Sequence, residues 1–146
     1  MALINTQRNE EAISHLKLAI ELDPNYADAH NNLGISLNFG HKKEEAIFHY
    51  KMAIELDPNN ANAHYNLGYT LVLKGEIKEA IFHYKMAIKI NPDNFEAHNS
   101  LGRIMVQKGE MKEAVDHYRE TVRLRPNLDA ARDNLGFALF QLQKLE

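Results

Sequence analysis

Residues 61–94 read ANAHYNLGYTLVLKGEIKEAIFHYKMAIKINPDN, and the chain on either side repeats them. Prolines stand at Pro24, Pro58, Pro92 and Pro126, each 34 residues after the last, and the chain has no others. Gly34, Gly68, Gly102 and Gly136 keep the same interval, as do Ala12, Ala46, Ala80 and Ala114. A fixed period of this length marks an array of stacked supersecondary units. Each is too small to bury its own apolar face and depends on its neighbours to cover it.

Within the unit the periodicity is helical. His64, Leu67, Gly68 and Leu71 recur at i, i+3, i+4 and i+7, and Ala80, Ile81, Tyr84, Ala87 and Ile88 do the same. Two helices are predicted, their stripes facing each other inside one hairpin. Gly68 falls in mid-helix, where glycine costs about 1 kcal/mol relative to alanine. Its recurrence predicts helix axes that approach too closely for a Cβ. Gly75 and Gly109 fit left-handed caps at the ends of first helices. Pro58 and Pro92 stop the second helices, and Asn59, Asn60, Asp93 and Asn94 are suited to cap the next ones. In residues 27–60 the inter-helix glycine is Gly40, one place early, and His41 stands where Gly75 and Gly109 do. A differently shaped turn is expected there, with the register restored by Ala46.

The segments AHYNLG (63–68), KGEIKEAI (74–81) and YKMAI (84–88), closed by Pro92, resemble the tetratricopeptide repeat family, and the likeness covers nearly the whole chain. The chain departs from that family where a tryptophan or large aromatic usually precedes the Leu-Gly pair: His30, His64, His98 and Arg132 stand there. The resemblance implies an all-α solenoid of helix-turn-helix repeats coiled into a right-handed superhelix. The period divides a single array into a partial repeat at 1–26 (a second helix), full repeats at 27–60, 61–94 and 95–128, and a partial repeat at 129–146 (a first helix). Both ends cut the period between helices, so a piece of a longer protein is expected. The alternative is a natural short chain with capping half-repeats.

Composition narrows the function. The net charge of −3 supplies no basic field for nucleic acid or an anionic membrane. There is no cysteine, hence no disulfide framework and no thiolate chemistry, and no bilayer-spanning run or signal peptide is evident. These features fit a cytoplasmic protein without membrane insertion. Of the eight histidines, seven follow the repeat: His30, His64 and His98 in first helices, His15, His49, His83 and His117 in second helices. Equivalent residues should lie about 10 Å or more apart, the spacing of packed helices, whereas zinc needs ligands converging at about 2 Å. No H-x-x-x-H pair occurs. Instead Glu11, Glu45, Glu79 and Glu113 precede the second-helix histidines by four residues, a solvated contact along one face. The histidines read as scaffold, with no metal and no cofactor. No nucleotide loop, nucleophile elbow or convergent catalytic set is present, so catalysis is not expected.

In the family the first helices line a concave side. By that resemblance the candidate peptide-binding groove comprises Asn32, Ile35, Tyr65, Asn66, Tyr69, Ser100, Arg103, Asn134 and Phe137. Asn31, Asn38, Phe39 and Leu73 fall on the same predicted face. Amides can bond a peptide backbone of any sequence, and tyrosine and phenylalanine offer rigid apolar contact. The series Asn32, Asn66, Ser100, Asn134 resembles the asparagine ladder of O-linked N-acetylglucosamine transferases, which grips substrate main chain. A purely structural hydrogen-bonding role stands beside that reading. The dicarboxylate clamp of chaperone-binding members is missing its basic residues: Asn31, Ile35, Asn66, Glu96 and Ser100 occupy one set of positions.

The expected function is a non-catalytic protein–protein interaction scaffold that holds a protein or peptide in its groove. The alternatives are the substrate-recruiting arm of an enzyme such as a protein glycosyltransferase and, less favoured by the 34-residue period and acidic charge, an RNA-binding helical repeat. Basic residues Lys112, Arg119, Arg123 and Arg125 near one end, with an acidic excess in the other half, permit head-to-tail self-association. Ile13, Leu16 and Ile20, expected to be bare on a truncated repeat end, would favour it.

Overall fold

The computed structural model describes residues 2–145, with side chains from Thr6 onward. Every regular element among them is a helix: α1 (Ala2–Leu22), α2 (Ala27–Phe39), α3 (Lys43–Leu56), α4 (Ala61–Lys74), α5 (Ile77–Ile90), α6 (Phe95–Lys108), α7 (Met111–Leu124) and α8 (Asp129–Gln143). The architecture is an all-α solenoid of helix hairpins. The helices gather into two compact units that divide within α5, after His83.

In the first unit α1 packs on α2, α2 on α3 and α3 on α4. Its core holds Leu33 and Leu37 of α2, Ala46 and Tyr50 of α3, and Leu67 and Leu71 of α4, all buried. Each such leucine contributes roughly 2 kcal/mol by leaving water. In the second unit α6 packs on α7 and α7 on α8, around Leu101, Met105, Ala114 and Tyr118. Of the stripes predicted from spacing, His64, Leu67, Gly68, Leu71, Ala80, Tyr84 and Ala87 are buried, whereas Ile81 and Ile88 are half-buried.

The recurrent mid-helix glycine has a direct cause. A Cβ on Gly34 would stand 2.6 Å from Cε1 of Tyr50, and one on Gly102 would stand 2.6 Å from Cε1 of Tyr118. Both tyrosine rings are buried. Gly34 and Gly102, counterparts of Gly68, thus let a first helix lie against the aromatic ring of its own second helix.

Turn chemistry follows the sequence in most places. Gly75 and Gly109 adopt φ of 82° and 78°, and the next residue closes each turn, Glu76 N–H to Leu71 O and Glu110 N–H to Met105 O, both 2.9 Å. Asn60 and Asn94 cap α4 and α6, accepting from Ala63 N and Ala97 N at 2.9 Å. Asn59 and Asp93 are not caps. Their backbone N–H groups donate to the side chains of Asp57 and Asn91, which fold the chain around the proline.

One further expectation fails. The turn after α2 keeps the same shape as its siblings: His41 itself takes the left-handed conformation, with φ of 61°, and Lys42 N–H donates to Leu37 O at 2.9 Å. Gly40 stays right-handed. The hairpin geometry overrides the residue preference. The first helix, α1, runs unbroken from Ala2 to Leu22, longer than the second helices of the later repeats. Gln7, 34 residues before His41, offers neither a glycine nor a proline to end the helix.

Candidate functional site

Because α1 continues as one helix, its N-terminal half lies against the hairpin that follows. Asn9 Nδ2 donates to the Ser36 carbonyl at 3.0 Å and fixes α1 on α2. Within the first unit this leaves a cleft of about 820 Å3. Its walls are Thr6, Asn9, Glu10 and Ile13 of α1, Ile35, Asn38 and Phe39 of α2, and Tyr69 and Leu73 of α4, and the turn from Gly40 to Lys43 forms its rim. Ile35 and Phe39 are four residues apart on one helix, and Tyr69 and Leu73 hold the same places one repeat later. All four are exposed, Phe39 at 60%. Apolar side chains left facing water at one concave place mark a surface that gains by being covered.

The amides behave differently from the aromatics. Asn66 Nδ2 donates to Asn31 Oδ1 at 3.0 Å, and Asn134 Nδ2 donates to Asn99 Oδ1 at 3.2 Å, each bond joining first helices of neighbouring repeats. Asn31, placed on the exposed face by its spacing, is buried instead. The structural role of Asn66 and Asn134 is thereby supported, since each has one amide face committed to the scaffold. Their carbonyl oxygens keep capacity to accept.

Among the predicted groove residues, Ile35 and Tyr69 come together in the cleft of the first unit. Asn32 is exposed on α2, whereas Tyr65 and Asn66 are half-buried on α4. In the second unit Ser100 is half-buried, Arg103 exposed, Asn134 half-buried and Phe137 exposed. Ile13, Leu16 and Ile20 are half-buried rather than bare, since α2 covers one side of α1. Three of the basic residues in and just after α7 have local partners: Arg119 with Asp116 at 3.8 Å, Arg123 with Glu120 at 2.8 Å, and Arg125 stacked over Phe95 at 4.6 Å. Sequence spacing missed the α1 wall and the lysines of the rim. The missing glycine near Gln7 was the signal for the wall.

The histidines form three bridges across the hairpins. His30 faces His49, His64 faces His83, and His98 faces His117, their Nδ1 atoms 3.0, 3.0 and 3.1 Å apart and the partners 19 residues apart in sequence. The proton positions follow from the outer partners. His30 Nε2 lies 3.2 Å from Pro24 O, and His98 Nε2 lies 3.2 Å from Pro92 O. A carbonyl only accepts, so Nε2 carries the proton and Nδ1 of each first-helix histidine is the acceptor. His49 and His117 therefore donate from Nδ1. His64 likewise bonds the Pro58 backbone.

Such a bridge favours neutral imidazoles. Burial, and next to it the facing His64, pushes His83 down to about 4. Burial and the facing His30 lower His49, and burial and the facing His98 lower His117. Burial also lowers His64. Glu79 and Glu113 stand 3.9 Å from the outer nitrogens of His83 and His117, the contact expected from the four-residue spacing. No group of three or more His, Cys, Asp or Glu side chains among the described residues converges to hold a metal. No helix of the described residues is long and apolar enough to cross a membrane.

A TPR (tetratricopeptide) repeat family model matches residues 2–37, 42–75, 68–109 and 102–143. The fold is similar to solved structures of MamA. One has 28% identity and a TM-score of 0.80, covering 89% of this chain and 76% of that one. Another has 26% identity and a TM-score of 0.82, covering 95% and 76%. It also resembles PilF of Pseudomonas aeruginosa, with 23% identity, a TM-score of 0.86, and 98% and 65% of the two chains covered, a likeness of fold. Comparison of the sequence with curated proteins finds no match.

Proposed function

Because the chain belongs to the tetratricopeptide repeat family, we propose that it is a non-catalytic interaction module and that the cleft of the first unit receives a segment of another polypeptide. The observation that carries this reading is the cluster of Ile35, Phe39, Tyr69 and Leu73, exposed together in one cleft of about 820 Å3. That volume falls in the range of pockets that enclose several side chains. Asn9 on the α1 wall, whose Nδ2 is bonded to Ser36 O, keeps its side-chain carbonyl oxygen to accept from a peptide backbone. Exposed aromatics on the outer helices, Phe48 of α3 and Phe82 of α5, lie outside this cleft and provide an internal control.

The test is selection of binding peptides on the intact chain, followed by affinity measurements on variants. Phe39→Ala and Tyr69→Ala are expected to weaken the selected peptides at least about tenfold, as central aromatic anchors do, while Phe48→Ala leaves them unchanged. Helicity should hold in all three, since none of these rings is part of a core. If Phe48→Ala abolishes binding and Tyr69→Ala does not, the cleft is not the site.

A further inference from the structure

The rim of the cleft departs from its siblings in charge. Where α4 turns into α5, Lys74 pairs with Glu76 at 2.9 Å, and where α6 turns into α7, Lys108 pairs with Glu110. In both turns the basic residue before the glycine is neutralised by the acidic residue after it. The turn between α2 and α3 has Gly40 and Lys42 at those two positions, and reads His41-Lys42-Lys43 where the others read Gly75-Glu76-Ile77 and Gly109-Glu110-Met111. The internal pair is gone and two lysines take its place. No ion pair engages Lys42 or Lys43 among the described residues, and Glu44, their neighbour, pairs with Lys74 at 3.8 Å. Both lysines line the cleft beside Phe39, and Glu10 on the α1 wall is the sole carboxylate lining it among the described residues.

A chain of net charge −3 thus keeps two uncommitted lysines at the mouth of its apolar cleft. We propose that this cleft takes a polypeptide segment in which Asp or Glu stands next to bulky apolar residues, its apolar side chains entering between Phe39 and Tyr69 and its carboxylates meeting Lys42 and Lys43. The proposal rests on the peptide-binding reading above and adds the chemistry of the ligand. Opposite charge at a rim acts on encounter rate and on the choice among partners, and is screened by salt. An acidic segment is therefore selected over a neutral one of the same shape, most clearly at low ionic strength.

The experiment uses the whole chain and a graft in which His41→Gly, Lys42→Glu and Lys43→Ile copy the α4–α5 turn. That turn already closes with the same backbone bond, so the graft folds as its sibling does. A random peptide library is selected in parallel on the native chain, the graft and Tyr69→Ala, and enriched peptides are synthesised and titrated at low and high salt. The native chain is expected to enrich Asp or Glu beside Leu, Phe or Tyr. These peptides should lose about tenfold in affinity on the graft and should weaken as salt rises. Peptides that depend on Tyr69 but carry no acidic bias, or bind the graft equally well, overturn the ligand chemistry and leave the peptide-binding reading standing. Absence of any Tyr69-dependent peptide overturns both. A concentration-dependent dimer in sedimentation that the graft abolishes makes a second copy the occupant and also overturns the proposal.

Discussion

Hairpins α2–α3 and α6–α7 share nearly every internal device and differ at the rim. Each sets a glycine against a tyrosine ring, each bridges two histidines, and each ties its first-helix histidine to a proline carbonyl. At the surface the likeness ends. Ile35 and Phe39 of the first have Arg103 and Gln107 as counterparts in the second, and His41-Lys42 have Gly109-Glu110. What recurs in both hairpins is needed for stacking, and what differs is free to serve a partner. The period therefore separates scaffold from candidate site.

The largest expected effect tests the shared part. Gly34→Ala or Gly102→Ala should gain about 1 kcal/mol in helix propensity, yet the new Cβ would meet a buried ring carbon at 2.6 Å. Overpacking of that kind costs about 1–3 kcal/mol, and with both rings buried the steric term outweighs the gain. Net destabilisation of up to about 2 kcal/mol is expected from denaturant melts. Gly136 on α8 shares the register but faces nothing within 4 Å, so Gly136→Ala should stabilise by up to about 1 kcal/mol. The same substitution at equivalent positions should carry opposite signs. Equal effects would mean that the glycine-ring contact does not hold the hairpin.

The histidine bridges come next in size. His49, His64, His83 and His117 all have folded values below the ordinary 6.5, His83 at about 4. The unfolded chain consequently binds more protons than the folded one in that window. Stability is complete above about pH 6.5 and is lost as pH falls towards 4. Glu45 and Lys17 act on His49, Glu79 and Lys51 on His83, and Glu113, Asp116 and Lys85 on His117. The carboxylates offset part of the burial effect and the lysines add to it. With partial solvent access discounted, the His64–His83 bridge should give up about 1–2 kcal/mol between neutral and mildly acid solution, and the other two bridges should lose stability in the same direction. Thermal melts from pH 7.5 to 4.5 check this, and a His83→Gln variant should show a flatter profile than the native chain. A profile unchanged by that substitution would place the acid sensitivity elsewhere.

Spacing made the helices, the buried stripes and the glycine contact legible, because each is a constraint within one period and recurs. It also displayed the histidines at a constant 19-residue separation across each hairpin. Read helix by helix, however, the second-helix histidines were matched only to the glutamates four residues before them, since the His–His contact is made between helices. The buried Asn31 shows the same weakness. Helical spacing puts it beside Asn32 and Ile35, but the next first helix reaches over and takes it with Asn66. The cleft was only half legible. Its α2 and α4 walls follow the repeat, whereas its α1 wall exists because a turn is absent, and a periodic reading supplies a turn where the period demands one.

The smallest effect concerns the one place where the period and the residue disagree. His41 occupies the left-handed position that Gly75 and Gly109 fill elsewhere, at a φ of 61°. A residue with a Cβ is disfavoured there by about 1–2 kcal/mol, while glycine loses roughly 0.5–1 kcal/mol more chain entropy on folding. The first term exceeds the second, so His41→Gly should stabilise by about 0.5–1 kcal/mol, and Gly109→His should destabilise by a similar amount. Paired thermal melts measure both. The backbone bond from Lys42 N–H to Leu37 O should survive, since its siblings in the glycine turns have the same 2.9 Å length. A loss of stability in His41→Gly would mean that the imidazole makes an interaction outweighing its backbone strain, and the turn would then belong with the differing parts of the two hairpins instead of the shared ones.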